Sequence, residues 1–333
     1  MGDLLRAENL RTWYQTRAGL IRAVDGVNLS LAEGRTLGLV GESGSGKSVT
    51  ALSIMRLIDP PGRIQPDSRI FFQGIDLVTA SEEELQELRG NQMAMIFQEP
   101  MTSLNPVYPV GGQVAEALRL HRTIKPGAAN ARAAELLGQV GIPLPVRRAR
   151  EYPHQLSGGM RQRVMIAMAM ACDPVLLIAD EPTTALDVTI QAQILALMRD
   201  LRRRRNTAIL LITHDLGVIA EMADDVAVMY AGRVVEQGPV ANVFANPQHP
   251  YTEALLHSLP VLGMTQAEPL KVIRGMVPSP LRWPTGCRFA PRCDYAFEKC
   301  AAYPPFVGVG GQQAACWLCE GGRRATVGQE ARL

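Results

Sequence analysis

A glycine-rich octet near the N-terminus constrains this chain more than any other feature. It occupies residues 41–48 and reads Gly-Glu-Ser-Gly-Ser-Gly-Lys-Ser, the pattern of loops that cradle phosphate groups. Glycines let successive backbone N–H groups face one anion, and a helix that begins at the loop favours negative charge there. An apolar run precedes the octet at residues 37–40, and a helical pattern follows it at residues 48–58. The octet therefore predicts an α/β fold that binds a nucleotide.

Two side chains of the octet are suited to the phosphates and their metal. Lys47 has the length to reach the β- and γ-phosphates, and Ser48 carries a hydroxyl for Mg²⁺. The predicted nucleotide-binding residues of the loop are Gly41, Ser43, Gly44, Ser45, Gly46, Lys47 and Ser48. The alternative is an ordinary Gly/Ser connection, and the strand-then-helix context disfavours it.

A second apolar run, at residues 175–179, ends in two acids, Asp180 and Glu181. Acids at the carboxyl end of a buried strand lie beside the phosphate loop in an α/β sheet. We expect Asp180 to hold Mg²⁺ through water and Glu181 to accept a proton from the attacking water. The alternative is a strand whose acids only mark its exit into solvent.

Two further strand ends carry polar residues that would reach the same edge of the sheet. His214 follows the apolar residues 209–212, and Gln98 follows residues 95–97. His214 is a candidate contact to the γ-phosphate, and Gln98 a candidate contact to the metal or the water. The predicted catalytic residues are Glu181, His214 and Gln98, and the predicted magnesium residues are Ser48, Gln98 and Asp180.

A second candidate anion site precedes the apolar helical stretch at residues 164–172. Ser157 has the character of a helix N-cap, and Gly158 and Gly159 follow it. One nucleotide does not need two such sites far apart in the sequence. We therefore expect Ser157, Gly158 and Gly159 to bind a nucleotide held by another subunit.

In this order along the chain, the motifs resemble those of an ABC-type ATPase subunit over about residues 4–250. The resemblance rests on the octet, Gln98, Leu-Ser-Gly-Gly-Met at residues 156–160, the acid pair, residues 184–187 and His214. It implies an α/β cassette with a mixed sheet core and a helical subdomain at about residues 101–160. It also implies that two subunits form a head-to-tail sandwich around two ATP molecules, with Asp187 in the loop that crosses the interface.

The same resemblance implies an aromatic residue that stacks on adenine. Tyr14 keeps the family's spacing, and Trp13 lies next to it. Strand alternation places only one of the two on the nucleotide side, and we prefer Tyr14. Ordinary aromatic packing on an outer sheet is the alternative.

The sequence around the motifs is similar to that of dipeptide and oligopeptide import ATPases, at residues 41–48, 97–106, 152–157 and 249–252. Importers of nickel, glutathione or sugars share this pattern. The resemblance implies ATP-driven uptake of peptides, with a second ATPase cassette, identical or related, two membrane permease subunits and an extracytoplasmic peptide-binding protein. The chain would then be a peripheral protein at the cytoplasmic face of the cell membrane.

Composition disfavours other classes of protein. The net charge of +2 gives no field that indicates a nucleic-acid partner. No apolar run approaches the ~18–20 residues that cross a bilayer, and the first residues do not read as a secretion signal. A soluble ABC ATPase unrelated to transport is disfavoured because the chain carries one cassette and no heptad run.

Prolines become frequent after residue 258, which predicts an ATPase domain at 1–258 and a separate loop-rich extension at 259–333. The extension contains Cys287, Cys293, Cys300, Cys316 and Cys319. Thiolates bind zinc or iron–sulfur clusters, and this spacing does not choose between them.

Some peptide-import ATPases bind a [4Fe–4S] cluster in a similar extension. That resemblance assigns Cys287, Cys293, Cys300 and Cys316 as ligands, in a structural rather than catalytic role. Zinc, or thiols without a metal, are the alternatives, and Cys319 fits no ligand position.

Overall fold

A mixed sheet of eight strands carries the fold in the computed structural model, which describes residues 2–98, 103–183, 187–258 and 273–322. The strands are β1 Asp3–Thr16, β2 Gly19–Ala32, β3 Thr36–Val40, β4 Gly62–Ile64, β5 Arg69–Phe72, β6 Ile75–Asp76, β7 Met93–Ile96, β8 Leu176–Asp180, β9 Ala208–Ile212, β10 Asp225–Tyr230, β11 Arg233–Pro239, β12 Val307–Val309 and β13 Gln312–Ala314. The helices are α1 Lys47–Ile54, α2 Glu82–Leu88, α3 Val110–His121, α4 Pro126–Gln139, α5 Pro145–Arg148, α6 Gly158–Ala169, α7 Val188–Arg205, α8 Leu216–Met222, α9 Val240–Ala245 and α10 Pro250–His257.

The strand order of the large sheet is β12-β13-β11-β10-β3-β9-β8-β7. The pairs from β10 to β7 are parallel, whereas β11, β13 and β12 add antiparallel pairs at one edge. A smaller antiparallel sheet has the order β2-β1-β5-β6, with β4 also paired to β1. Because β3, β7, β8 and β9 run in the same direction, their carboxyl ends meet at one edge, where the predicted site residues follow them.

The central strands are buried on both faces. In β9, Ile209 and Leu211 belong to the core cluster that includes α6, whereas Leu210 and Ile212 belong to the cluster that includes α1. This alternation follows from the two-residue period of a strand, and a parallel sheet covered by helices on both faces reads as a continuous apolar run. The expected α/β cassette with a mixed sheet is confirmed.

The segment between β7 and β8 is helical in its described part. It contributes α3, α4 and α5 and then α6, which returns the chain to the sheet, in agreement with the helical periodicity around residues 114–120. The helix after the phosphate loop is shorter than predicted. It ends at Ile54 because Arg56 adopts a left-handed backbone with φ of 54°, which a helix does not continue through.

The C-terminal extension is joined to the large sheet. Its hairpin of β12 and β13 pairs with β11, in the register Glu236↔Ala314. The sequence prediction of a separate unit misses this pairing, because three-residue strands leave no periodic pattern. Between residues 273 and 306 the chain is loop-rich as expected, with short 3₁₀ helices at Ala290–Arg292 and Glu298–Ala301. Residues 259–272 and 323–333 of the extension lie outside the described residues.

No helix within the described ranges combines the length and the apolar composition needed to cross a membrane.

Candidate functional site

The phosphate loop connects β3 to α1 and passes very close to neighbouring strands. Gly41 has φ of 150° and Gly46 has φ of 103°. A Cβ atom on Gly41 would lie 2.1 Å from the carbonyl oxygen of Met229, and one on Gly46 would lie 2.5 Å from that of Ala23. Only glycine fits at these two positions, so the close packing of the loop against β10 and β2 explains the spacing of its glycines.

The ammonium group of Lys47 is held inside the loop. Its Nζ donates to the carbonyl oxygens of Gly41 at 2.8 Å and Glu42 at 3.1 Å, and the residue is 6% exposed. Burial lowers the pKa of Lys47, while the carboxylates of Glu181, Asp180 and Glu42 oppose that shift. A phosphate oxygen that replaced the carbonyl partners would meet a partly desolvated positive charge.

Asp180, at the end of β8, carries a buried oxygen that lacks a partner. The residue is 4% exposed, and among the described residues its Oδ1 has no hydrogen-bond partner. Burial raises the pKa of Asp180, and the neighbouring Glu181 raises it further, whereas a hydrogen bond with Ser48 and the charge of Lys47 lower it. An unpaired buried carboxylate oxygen beside a hydroxyl group fits an oxygen-ligated divalent cation such as Mg²⁺.

Glu181 lies at the centre of the predicted catalytic residues. Gln98 Nε2 donates to Glu181 Oε2 at 3.0 Å, and His214 Nδ1 lies 3.4 Å from Glu181 Oε1. The backbone of Glu181 has φ of 47°, a strained value for this residue type, and its N–H donates to the carbonyl oxygen of Ile212 on β9. Three residues from different strand ends therefore converge, as the parallel topology predicts.

The Ser-Gly-Gly segment lies at the start of α6, with an open surface. Ser157 is the N-cap, and its Oγ accepts a hydrogen bond from the Met160 N–H at 3.3 Å. Ser157 and Gly158 are exposed, and apart from its chain neighbours and the backbone of α6 no described atom lies within 4 Å of a Cβ built on Gly158. Gly159 packs near Ile190 of α7. The helix N-terminus is accessible to a ligand that approaches from outside this subunit.

A buried glutamine that the sequence analysis missed connects this helix to the acid pair. Gln162 is 2% exposed, and its Nε2 donates to the carbonyl oxygen of Pro182 at 2.6 Å. Because Pro182 directly follows Glu181 in the chain, a displacement of α6 would shift the backbone next to Glu181. No sequence pattern distinguishes this glutamine from the other polar residues of the helix.

Asp187, the predicted interface residue, is exposed at the start of α7. Its side chain caps the helix by accepting a hydrogen bond from the Ile190 N–H at 2.9 Å. Residues 184–186, which belong to the same family motif, lie outside the described residues.

Both candidate adenine-stacking residues are half-buried on β1. The Arg22 guanidinium lies 5.1 Å from the ring centroid of Trp13, and the Tyr14 ring packs closely against the backbone of Gly62. Burial raises the pKa of the Tyr14 hydroxyl, and the charge of Asp59 raises it further. The choice of Tyr14 stays a prediction.

Four cysteines of the extension line one cavity. They are Cys287, Cys293, Cys300 and Cys316. Burial raises the pKa of the Cys287 thiol to about 11 and that of Cys293 to about 12, and the neighbouring cysteines add to both shifts. Cys319 points elsewhere, and its Sγ lies 3.7 Å from the carbonyl oxygen of Gln248.

These thiols have not converged on ligand positions. None of the described cysteines forms a disulfide, and no group of three or more His, Cys, Asp or Glu side chains in the described ranges has the arrangement of a metal site. The predicted iron–sulfur cluster is therefore without direct support, although the four predicted ligands lie together.

Family profiles match most of the chain. The profile described as ABC transporter matches residues 24–184, and the one described as oligopeptide/dipeptide transporter, C-terminal region, matches residues 235–300. The oligopeptide transport ATP-binding protein AppD of Bacillus subtilis (strain 168) is 52% identical over 322 residues, which cover 96% of this chain and 98% of that protein. A putative peptide import ATP-binding protein of Brucella abortus (strain 2308) is 54% identical over 317 residues, covering 92% and 94%.

Solved structures agree with this placement. The dimeric structure of the ATP-binding cassette MJ0796 in a post-hydrolysis state, bound to ADP and Pi, has a TM-score of 0.64 at 28% identity, and covers 71% of this chain and 98% of that one. The structure of cbiO1 from Clostridium perfringens, part of an ABC transporter complex, has a TM-score of 0.61 at 26% identity, with coverage of 74% and 92%.

Proposed function

Since this chain belongs to the ATP-binding subunits of ABC-type oligopeptide and dipeptide transporters, we propose that two cassettes close on ATP and that its hydrolysis powers peptide uptake. Its own part of the transporter is the ATPase. The permeases that carry the peptide are separate membrane chains, and this subunit binds to them as a peripheral protein at the cytoplasmic face. An extracytoplasmic protein delivers the peptide to them.

The observation that carries this proposal is the convergence of Gln98 and His214 on Glu181, next to a phosphate loop. Glu181 accepts the proton of the attacking water, and the Gln98 amide, at 3.0 Å, orients its carboxylate toward that water. Lys47 binds the β- and γ-phosphates, and His214 fixes the γ-phosphate. Ser48, Asp180 and Gln98 would hold Mg²⁺, which would supply positive charge next to the phosphates.

The exposed start of α6 completes the site of a second cassette. Ser157 and Gly158 present an exposed helix N-terminus, and Asp187 is an exposed cap of α7, whose Ile190 lies beside Gly159. MJ0796, which resembles this chain, has been solved as a dimer with ADP and Pi. ATP then bridges two incomplete sites, and loss of the γ-phosphate opens the sandwich.

We assign Tyr14 rather than Trp13 to the adenine ring. The support is that the Arg22 guanidinium already lies over one face of the Trp13 ring, so that this face is not open to adenine.

Peptide uptake tests the proposed function directly. The purified transporter, reconstituted in vesicles with its permeases and peptide-binding protein, is expected to accumulate a labelled dipeptide only when Mg²⁺ and ATP are on the cytoplasmic side. Accumulation of nickel or glutathione, with no dipeptide uptake under the same conditions, would reassign the substrate. Uptake at an equal rate without ATP would contradict the function itself.

We further propose that Cys287, Cys293, Cys300 and Cys316 hold a [4Fe–4S] cluster in a structural role. The support is that these four thiols line one cavity, whereas Cys319 is directed toward Gln248. Cysteine sulfur is the usual ligand of such clusters, and these buried thiols would lose their protons on binding iron, so that each thiolate would be stabilised by a metal bond.

Iron content distinguishes the outcomes for the cysteine cavity. Anaerobically purified protein is expected to be brown, with about four irons per chain, because four thiolates complete one cubane cluster. Cys300→Ser should lose most of that iron, while the matched control Cys319→Ser should keep it. Colourless protein with zinc, or equal iron loss in both variants, would refute this assignment.

A further inference from the structure

An arginine of the extension forms a two-point ion pair with the phosphate loop. Arg292 donates from Nη1 and Nη2 to the two carboxylate oxygens of Glu42, at 2.7 and 3.0 Å. Glu42 is the second residue of the phosphate loop, and 250 residues separate the partners. The Arg292 side chain is only 5% exposed and that of Glu42 is 25% exposed. A two-point ion pair with so little solvent around it fixes geometry as well as charge.

Two further donors of Arg292 are also bound. Its Nε donates to the carbonyl oxygen of Arg274 at 2.9 Å, and its Nη1 also lies 3.3 Å from the Tyr230 hydroxyl. The guanidinium therefore has one well-defined position. Because these contacts fix the position of Arg292, the ion pair also fixes the position of the Glu42 carboxylate.

The backbone of Glu42 is hydrogen-bonded to a buried aromatic cluster. The Glu42 N–H donates to the Tyr251 hydroxyl at 2.8 Å, and Tyr251 is fully buried. Its ring packs against Tyr230 and Phe289, with centroids 4.6 and 5.4 Å away. Phe289 comes from the same extension as Arg292, so the extension supports both the side chain and the backbone of Glu42.

Arg288, four residues before Arg292, makes separate contacts with the cassette. Arg288 forms an ion pair with Asp25 and donates to the carbonyl oxygen of Ala231. The next residue, Gly232, donates its N–H to the carbonyl oxygen of Ser45 in the phosphate loop. We call residues 288–292 the arginine loop; Cys287 and Cys293 flank it.

We propose that the arginine loop is a strut for the phosphate loop, and that Arg292 is a positioning residue for ATP binding. The carbonyl oxygens of Gly41 and Glu42 also accept from Lys47 Nζ, so the position of Glu42 sets where the ammonium group lies. Arg292 also neutralises a carboxylate beside the bound triphosphate. Without it, that negative charge would repel the phosphates. The inference rests on the proposed ATPase function, and it adds that the extension positions the ATP-binding site.

Steady-state kinetics of the full-length protein, assembled with its companion chains, test the strut. Arg292→Ala is expected to raise KM for ATP about ten-fold, because a hydrogen-bonded charge pair of this kind is lost. The turnover number at saturating ATP should stay within about two-fold of the unaltered protein. A purely structural loss would instead reduce the active fraction, lowering the turnover number and leaving KM unchanged. Arg292→Lys, which keeps the charge but not the fork, should be intermediate.

The matched control is Arg282→Ala in the same extension, which removes an exposed arginine that makes none of the contacts described above. It should leave KM unchanged. A KM for Arg292→Ala within about two-fold of this control would overturn the inference, while turnover by the unaltered protein would leave the ATPase function standing.

A double-variant cycle tests whether Arg292 affects ATP binding through Glu42 or through other contacts. Equilibrium binding of a non-hydrolysable ATP analogue is measured for Arg292→Ala, Glu42→Gln and the double variant. If Arg292 acts through Glu42, adding Glu42→Gln to Arg292→Ala should weaken binding no further. Independent, additive losses would show that the arginine acts elsewhere, and would overturn the proposal.

Discussion

Glu181→Gln is expected to lower ATP turnover by about 10²–10⁴-fold, the range typical of a lost general base. The amide has the shape of the carboxylate but cannot accept the proton of the attacking water. The substitution leaves the neighbours of Glu181 unchanged, namely Gln98 at 3.0 Å and His214 at 3.4 Å, which we propose position the water and the phosphate. Binding should therefore survive, and ATP-bound pairs of cassettes should accumulate.

Two measurements check this expectation together. Phosphate release gives the turnover, and size-exclusion chromatography with light scattering gives the population of pairs in Mg²⁺ and ATP. The control Glu83→Gln makes the same chemical change on exposed α2 and should behave like the unaltered protein. Turnover by Glu181→Gln within two-fold of that control would remove Glu181 as the base.

The second large effect is expected for Ser157→Arg. Ser157 is the exposed N-cap of α6, and its hydroxyl and the following N–H groups are proposed to bind the γ-phosphate held by the other cassette. A long arginine side chain at this point would fill that contact, so the sandwich should not close and turnover should fall to background. ATP binding to a single subunit should persist, because the phosphate loop is untouched.

Asn130→Arg is the matched control for this substitution. It places the same side chain at an exposed position of α4 in the helical subdomain. The control should form ATP-bound pairs normally. If Ser157→Arg pairs and hydrolyses as well as Asn130→Arg does, the composite site is wrong.

The central part of the site was readable from the sequence because each residue follows a recognisable strand. Parallel strands end at one edge, so an apolar run before Gln98, before Asp180 and before His214 is enough to bring these side chains together. The glycine spacing of the phosphate loop added the close backbone approach at Gly41 and Gly46. Local pattern and global topology agree here, so these side chains lie close together as expected, and their roles in binding and catalysis stay predictions.

The contacts that sequence reasoning missed are long-range and lack a period. Arg292 pairs with Glu42 across 250 residues, from a proline-rich loop whose composition shows only that no long helix forms. Gln162 differs from other helical glutamines only in its burial against Pro182. The hairpin of β12 and β13 is too short for an alternating pattern, so its pairing with β11 was not foreseen. Such contacts depend on tertiary packing, which a single sequence does not display.

The central claim is that ATP is hydrolysed between two cassettes, neither of which carries a complete site. The direct measurement is phosphate release per chain as the cassettes, with any companion ATPase at a fixed ratio, are diluted in saturating Mg²⁺ and ATP while light scattering follows their association. We predict that the rate per chain falls toward zero in step with the fraction of associated cassettes. A rate per chain that stays constant after light scattering shows only monomers would contradict the account.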